Sequence, residues 1–169
     1  GILGLRDQHE KDAHDNNIKW RDLVICNLYP FSETISKEQC DLAMALENID
    51  IGGPTMIRSA AKNLGWVTVL VDPNEYQTTL NELRESKEIS FDTRKRLSTK
   101  AFGHTAQYDA IIHNYLKDEK LTEDLTLTFT KHSEMRYGEN PHQSAASYLI
   151  PGNAEPNIMN AKIHQGKKL

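Results

Sequence analysis

Apolar positions along the chain repeat with different spacings, and each spacing predicts one type of element. Continuous apolar runs at Leu23–Leu28 and Val67–Val71 are typical of strands covered on both faces, as in a parallel sheet. Helical spacing predicts four helices: Glu38–Ile49, Pro54–Asn63, one that follows Asp72–Pro73, and a long one from Asp92 to about Lys117. Because strands alternate with helices, the chain is predicted to form an α/β layer fold with a parallel sheet.

The pattern changes after about residue 119. From 125 to 130 apolar residues and threonines alternate, and this period of two predicts a strand. A polar loop at 136–143 and an apolar-rich segment at 145–150 follow. These pieces bury little by themselves. We therefore predict one domain over 1–119 and the opening of a second over 120–169.

Composition narrows the function classes. The 169 residues are enough for one domain with a core, or for one domain plus a piece of another. The formal net charge of -4 argues against a general nucleic-acid binder, and no apolar run reaches the length of a membrane span. The chain begins at Gly1 rather than at a methionine, and its last residues close no element. We therefore expect a fragment truncated at both ends.

Cysteine and histidine usage gives no sign of a metal site. Cys26 and Cys40 lack metal-ligand spacing, and the seven histidines are scattered. Both cysteines lie in segments with apolar patterns, so we interpret them as reduced, buried thiols of a cytoplasmic protein. No metal is expected.

The most informative segment runs from Asp50 to Asn63. Gly52 and Gly53 would let the backbone approach a ligand closely, and Pro54 suits the first helical position. The free N–H groups of that first turn would then suit an anionic ligand. The helix that follows carries four polar residues on one face: Thr55, Arg58, Ser59 and Lys62. Such punctuation and such a charged stripe are also common on ordinary surface helices.

A second group of polar residues follows the first predicted strand. Asn27 and Tyr29 lie at its carboxyl end, where ligands bind in parallel α/β sheets. Asp50 and the glycine pair could lie beside them. The alternative is that Asn27 is a turn residue and Tyr29 a core ring with a satisfied hydroxyl.

Four motifs together resemble one enzyme family. They read CNLYPF (26–31), ENIDIGGPTMIRSAAKN (47–63), KAFGHTAQYD (100–109) and RYGENPHQ (136–143). They resemble the bifunctional purine-biosynthesis enzymes that join aminoimidazole carboxamide ribotide formyltransferase to IMP cyclohydrolase. The resemblance implies a three-layer parallel-sheet domain similar to methylglyoxal synthase over 1–119. It also implies that 120–169 is a linker with the first strands of a transformylase domain similar to cytidine deaminase.

What this resemblance implies chemically is ring closure. The carboxamide nitrogen of the formylated ribotide attacks the formyl carbon, and water is lost to give IMP. Lys62 would be the proton donor or acceptor, Asp50 would orient the carboxamide or hold a proton, and Tyr29 would donate to the developing oxyanion. The substrate-binding residues that the motifs imply are Cys26, Asn27, Ile51, Gly52, Gly53 and Arg58, with Arg136 and Tyr137 for the transformylase.

The same resemblance implies the cofactors and partners. Ring closure needs no cofactor, whereas the parent transformylase would use 10-formyltetrahydrofolate as co-substrate. The partners would be a small purine ribotide and a second copy of the chain in a homodimer, with neither nucleic acid nor membrane. Two alternatives stay open: a regulatory nucleotide- or phosphate-binding module of the same fold, and a fragment without catalytic activity. The RYGENPHQ motif argues against the module.

Overall fold

The computed structural model describes residues 1–118, 121–151, 156–162 and 164–165. The chain divides into two compact units, Gly1–Tyr115 and Leu116–Leu169. The domain boundary predicted between residues 119 and 120 lies outside the described residues, so that assignment stays a prediction.

The first unit is a mixture of helices and parallel strands. Its elements in chain order are α1 (Glu10–Asp15), β1 (Leu23–Ile25), α2 (Phe31–Ile35), α3 (Leu42–Glu47), α4 (Gly52–Lys62), β2 (Thr68–Leu70), a 3-10 turn (Pro73–Glu75), α5 (Tyr76–Ser86) and α6 (Phe91–Leu116). β1 and β2 pair in parallel, with Val24 opposite Val69. The predicted α/β class with a parallel sheet is confirmed, although each ladder is shorter than its apolar run.

The core of this unit lies between α4 and the sheet. Ile57, Ala60 and Ala61 on α4 are fully or almost fully buried and pack with Val67 and Val69 around β2. The two alanines let the helix backbone approach the sheet closely. This packing fixes the direction in which α4 runs, and so it fixes where the two ends of that helix lie.

A second cluster is built around aromatic rings. Phe31 of α2 is 1% exposed and meets Tyr108 and Tyr115 of α6 edge-on, with ring centroids 6.3 and 5.7 Å apart. Such edge-to-face contacts stabilise aromatic pairs beyond their burial alone. Ala45 of α3 packs against the same cluster. The segment after β1 is therefore held firmly against α6.

Helix boundaries differ from the predictions at specific ends. α3 begins at Leu42 rather than residue 38, because the Asp41 side chain caps it by accepting from the Met44 N–H at 2.8 Å. The predicted cap at Asp72 is confirmed, since its carboxylate accepts from the Asn74 N–H at 2.9 Å. The long helix predicted from Asp92 is α6. None of the helices in the described part of the chain is both long and apolar enough to cross a membrane.

The second unit contains an antiparallel pair, β3 (Thr130–Met135) and β4 (Ala145–Leu149). The strand predicted at 125–130 is wrong, because the ladder begins at Thr130, opposite Leu149. The alternating Leu125 and Leu127 are 69% and 60% exposed. Alternation alone cannot form a ladder, because a strand also needs a partner segment in register.

Candidate functional site

The carboxyl edge of the sheet gathers residues from both strands. Just beyond β1, the Cys26 N–H donates to the Leu70 carbonyl at 3.0 Å. The next residue, Asn27, donates from its side-chain amide to the Tyr76 hydroxyl at 3.4 Å. The Cys26 thiol lies 4.0 Å from the Gly53 carbonyl oxygen at the amino end of α4. The structure thus brings the predicted residues of the first strand next to the glycine pair.

Asp50 is fixed at this edge by hydrogen bonds at two of its groups. Its carboxylate Oδ1 accepts from the Gly53 N–H at 2.7 Å, and its own N–H donates to the Tyr108 hydroxyl at 2.9 Å. The Tyr108 hydroxyl donates in turn to the Asn48 carbonyl at 3.3 Å. The bond to Gly53 uses one carboxylate oxygen, and the other can accept from a ligand.

The start of α4 and the hydrogen bond between Gly53 and Asp50 correct two expectations about the glycine turn. α4 begins at Gly52 instead of Pro54, so the proline is the third helical residue. The first turn does not offer a free set of N–H groups, because Asp50 accepts from Gly53 and Pro54 has no donor. A fixed negative charge at this position disfavours an anionic ligand there.

The two glycines have different roles. A Cβ on Gly53 would lie 2.5 Å from Asp50 Oδ2 and 2.7 Å from Leu28 Cδ2, whereas a Cβ on Gly52 would have no heavy atom within 4 Å. Gly53 is therefore required for the close contact between α4 and the end of β1. Gly52 and its neighbour Ile51, which is 76% exposed, are the part of the turn that a ligand can approach.

Electrostatics argue against Cys26 as a nucleophile. Burial raises the pKa of its thiol, and the nearby Asp50 carboxylate acts in the same direction. The thiolate is the reactive form of cysteine, so this thiol stays protonated and unreactive near neutral pH. Any contribution of Cys26 to binding would come from its backbone or from its shape.

Tyr29 lies at the rim of a cavity of about 300 Å³. The opposite wall of the cavity is formed by α6, where His104 is half-buried. Burial lowers the pKa of the His104 imidazole; Asp72 opposes this shift and Lys100 reinforces it. Sequence reasoning did not single out His104, although the KAFGHTAQYD motif contains it.

A network of ion pairs joins the end of β2 to α6. Lys100 contacts Asp72 at 2.6 Å and Glu75 at 2.9 Å, and Arg96 holds both carboxylate oxygens of Glu75 at 2.9 Å. Arg96 first and Lys100 second lower the pKa of Glu75 to about 2. Lys100 also lowers the pKa of Asp72. The partners are more than 20 residues apart in sequence, so their spacing gave no signal.

Lys62 lies at the other end of α4. α4 runs from Gly52 to Lys62, so with a rise of 1.5 Å per residue its two ends lie roughly 15 Å apart along the axis. A group that transfers a proton must come within about 3 Å of that proton, directly or through one water. That Asp50 and Lys62 act on one substrate stays a prediction.

The surroundings of Lys62 also differ from those of Asp50. It lines a cavity of about 410 Å³ together with residues near the start of the chain. Asn63, which is 4% exposed, donates from its side-chain amide to the carbonyls of Ile2 at 2.7 Å and Gly4 at 3.0 Å. The carboxyl end of α4 thus holds the segment that begins the chain.

The polar stripe on α4 is partly engaged with the protein itself. The hydroxyls of Thr55 and Ser59 donate to the carbonyls one turn before them, at 3.0 and 2.8 Å. The Arg58 guanidinium lies over the Phe102 ring, 5.6 Å from its centroid, in a cation–π contact. These contacts favour structural roles for the two hydroxyls and anchor Arg58 on α6.

In the second unit, Arg136 and Tyr137 directly follow β3, and both are exposed. The loop after them is closed by its own contacts, since the Gly138 N–H donates to the Gln143 carbonyl at 2.8 Å. The Asn140 N–H donates to the Gln143 side chain at 2.9 Å. Arg136 and Tyr137 are thus presented at the start of an ordered loop, and their binding role stays a prediction.

Within the described ranges, no group of three or more histidine, cysteine, aspartate or glutamate side chains is arranged to hold a metal ion. The titratable groups near the sheet edge form two sets: Asp50 with Cys26 and Tyr108, and Asp72, Glu75 and Lys100 with His104. The arrangement can position a small ligand and hold protons by hydrogen bonds.

Two family descriptions match the chain. An MGS-like domain matches residues 1–55, and the AICARFT/IMPCHase bienzyme matches residues 60–169. The junction between the two matches falls inside α4, so it differs from the division between the compact units at residues 115 and 116. The matches confirm the resemblance that the four motifs predict.

Curated relatives match along the whole chain. The bifunctional purine biosynthesis protein PurH of Listeria monocytogenes serotype 4b (strain CLIP80459) is 51% identical over 174 residues, covering 100% of this chain and 34% of that protein. PurH of Halalkalibacterium halodurans is 48% identical with the same coverage. This chain therefore spans about a third of the length of these relatives. Among solved structures, the crystal structure of ForH is similar with a TM-score of 0.58 and 30% identity, covering 66% of this chain and 58% of that chain.

Proposed function

We propose that this chain, which belongs to the AICARFT/IMPCHase bienzyme family, carries part of an IMP cyclohydrolase site and the start of a transformylase. The parent protein would perform the last two steps of de novo purine biosynthesis. The observation that carries the proposal is the match to proteins named for purine biosynthesis along 100% of the chain. The cluster at the carboxyl edge of the sheet gives that match a physical site.

The proposed reaction is the closure of a six-membered ring. A bond forms between the carboxamide nitrogen and the formyl carbon of the ribotide, and the formyl oxygen leaves as water. Tyr29, whose ring is 56% exposed at the cavity rim, would donate a hydrogen bond to that oxygen. Asp50 would accept from the carboxamide N–H with the oxygen that does not bind Gly53.

Holding the two reacting groups together is the other contribution of the site. In favourable intramolecular cases positioning supplies up to ~7–11 kcal/mol of the barrier. Ile51, Gly52 and Asn27 are exposed and would contact the ribotide there. Cys26 and Gly53 would contribute by shape, because they set the gap between β1 and α4.

We propose that Lys62 and Arg58 contribute less to ring closure than Asp50 does. Lys62 is remote from Asp50 along α4, and Arg58 is anchored over Phe102. Asp50 therefore ranks above Lys62 as the group closest to the reacting atoms. The ranking makes a direct prediction, since replacing Asp50 should slow ring closure more than replacing Lys62.

The test is to incubate the chain with the formylated ribotide and to follow IMP formation. We expect Asp50→Asn to lower the rate about 100-fold or more, in the range of general acid–base contributions. Asp41→Asn is a matched control, because the Asp41 carboxylate also accepts from the N–H three residues later, at 2.8 Å, and asparagine caps equally well. An unchanged rate in Asp50→Asn contradicts the role of Asp50. The absence of turnover in the unsubstituted chain would show that this part of the site does not work alone, and would support an inactive fragment.

The remaining parts of the proposal concern the parent protein. Arg136 and Tyr137 would bind the ribotide in the transformylase, with 10-formyltetrahydrofolate as co-substrate. A homodimer in the cytoplasm is proposed from the family resemblance and from the two unpaired thiols. The alternative, a phosphate-binding regulatory module, is disfavoured because Asp50 occupies the amino end of α4.

A further inference from the structure

Another cavity lies at the edge of the sheet that is remote from Asp50. The first residues of the two parallel strands, Leu23 of β1 and Thr68 of β2, line it, which places it at the amino ends of the strands. Cys26, which belongs to the candidate site, follows the opposite end of β1. The cavity has a volume of about 500 Å³, within the usual range of small-molecule sites. It is therefore a separate place in the first unit where a ligand can bind.

Thr79 of α5 is a buried polar residue in the wall of this cavity. It is 4% exposed, and its hydroxyl has no hydrogen-bond partner in the part of the chain that the structure describes. Nearly all buried polar side-chain atoms in proteins have a partner, because an unpaired hydroxyl destabilises the folded state. A molecule bound in the cavity would supply the partner that Thr79 lacks.

Arg94 of α6 contributes a positive charge to the same wall. Its half-buried guanidinium donates to three backbone carbonyls, those of Leu64, Gly65 and Ile89. Among the residues that the structure describes, no carboxylate forms an ion pair with it. The carbonyls use three of its five N–H groups, so two remain for a ligand. The guanidinium is thus fixed in place, and a bound anion would neutralise its charge.

The charges around the cavity indicate the net charge of its ligand. The described lining has three basic and two acidic side chains, which leaves one positive charge in excess: Arg6, Lys87, Arg94, Asp22 and Glu88. Arg6 and Asp22 pair with each other at 2.8 Å. A monoanion balances the excess, whereas a phosphate dianion would bring a surplus of negative charge close to Glu88.

Most of the other lining residues are apolar. Trp66 and Leu83 line the cavity and are each 39% exposed, and Ile89 lies beside them in the same lining. Covering such surface with an apolar part of a ligand is favourable, because it removes that surface from water. The lining therefore fits a ligand with a single negative charge on an apolar body.

We infer that this cavity binds a small organic carboxylate with an aromatic or aliphatic body. The Arg94 guanidinium and the Thr79 hydroxyl donate to the carboxylate oxygens, and Trp66 and Leu83 contact the body. The site is independent of the proposed ring closure, because it contains none of the residues assigned to that reaction. Neither the four motifs nor the family matches give a role to Thr79 or Arg94.

The first experiment measures the binding of cinnamate to the full chain by isothermal titration calorimetry. Cinnamamide, which has the same shape without the charge, is the matched probe. We expect cinnamate to bind about tenfold more tightly than cinnamamide, because hydrogen bonds between charged groups are the stronger ones. Equal affinities of the two probes, or no binding of cinnamate, would overturn the inference.

The second experiment compares two threonine variants of α5. Thr79→Val should weaken cinnamate binding about fivefold, the loss expected for one hydrogen bond. It should leave the protein as stable as before or more stable, because the hydroxyl that it removes is buried and unpaired. Thr78→Val is the control, because Thr78 is exposed and does not line the cavity. Unchanged cinnamate affinity in Thr79→Val, or a loss of affinity that accompanies a loss of stability, would overturn the role of Thr79.

The third experiment tests the charge balance of the cavity. Glu88→Gln removes an exposed carboxylate from the lining and should tighten cinnamate binding about threefold, on the scale of an exposed ion pair. The affinity for cinnamamide should not change. Glu85→Gln is the matched control, because Glu85 is also exposed but does not line the cavity. Equal gains in the two variants, or no gain in Glu88→Gln, would show that the carboxylate binds elsewhere.

Discussion

The two ends of α4 are held by different means. At the amino end, Asp50 closes on the Gly53 N–H, and Gly53 packs without a Cβ against Leu28. At the carboxyl end, Asn63 reaches two backbone carbonyls of the segment that begins the chain. The first arrangement leaves a carboxylate oxygen and the exposed backbone of Gly52 open to a ligand. The second uses its polar group fully within the protein.

This difference shows how far a sequence motif can be taken as one site. The residues from Asp50 to Lys62 form a single continuous motif with a single polar stripe. The rise of the helix separates its ends by roughly 15 Å, so the two ends of the motif have different surroundings. One end packs against Leu28 just beyond β1, and the other secures the segment that begins the chain. Perturbing each end should therefore have separate consequences.

The largest effect is expected at the carboxyl end. Asn63→Ala removes two hydrogen bonds at a residue that is 4% exposed. It should lower the free energy of unfolding by about 3 kcal/mol, because each bond contributes about 1 kcal/mol and the carbonyls lose a buried donor. Urea denaturation measures the change. Asn16→Ala removes an exposed local bond to the Asp12 carbonyl and should cost little. Equal losses in the two variants would contradict the anchoring role.

The next effect separates the two glycines at the amino end. Gly53→Ala forces a methyl group against Leu28 and Asp50 and should cost about 2 kcal/mol, as overpacking does. Gly52→Ala meets open space and should be neutral or slightly stabilising, because alanine favours helices by about 0.5–1 kcal/mol. Thermal unfolding of the pair is the measurement. If both variants unfold alike, α4 does not pack as closely on β1 as the contacts indicate.

The sequence predicted the fold better than the assembly of the site. Apolar runs and helical spacing located β1, β2, α4 and α6, because burial imposes those periods locally. The short helix α2 was missed, since Pro30 and Phe31 read only as the end of a strand. Strand β3 was misplaced because an alternating pattern does not reveal which segment will pair with it.

The site depends on contacts that have no local signature. Asp50 and Tyr29 were predicted from the motifs and lie near the same edge of the sheet. His104 was not, because only the packing of α6 against the segment after β1 brings it to the cavity. The role of Lys62 stays a prediction, because a shared helix face gives the direction of a side chain around the helix but not the group that it meets.

A smaller effect tests how the amino end is supported. Tyr108→Phe removes the hydroxyl that accepts from the Asp50 N–H and donates to the Asn48 carbonyl. The cost should be about 1.5 kcal/mol, because the ring stays packed and only the two hydrogen bonds are lost. Tyr137→Phe, at an exposed position, should cost almost nothing. Chemical denaturation compares the free energies of unfolding of the two variants with that of the unsubstituted chain. If Tyr108→Phe is as stable as the unsubstituted chain, Asp50 is positioned without the Tyr108 hydroxyl.

The smallest effect is a pH dependence at the edge that adjoins the amino end. Arg96 and Lys100 lower the pKa of Glu75 from 4.5 to about 2, so the ionised form stabilises the folded state. This stability is fully present above pH 4.5 and is lost as the pH falls from there towards 2.

Glu75→Gln should therefore be less stable at neutral pH by about 1 kcal/mol, a modest value because the partners are partly exposed. The difference should shrink at low pH. Burial lowers the pKa of His104 from 6.5, so this residue destabilises the folded state as the pH falls below 6.5; the effect is present in both proteins and cancels in the comparison. A difference that stays constant from pH 7 to pH 2 would show that the ion pairs do not stabilise this edge.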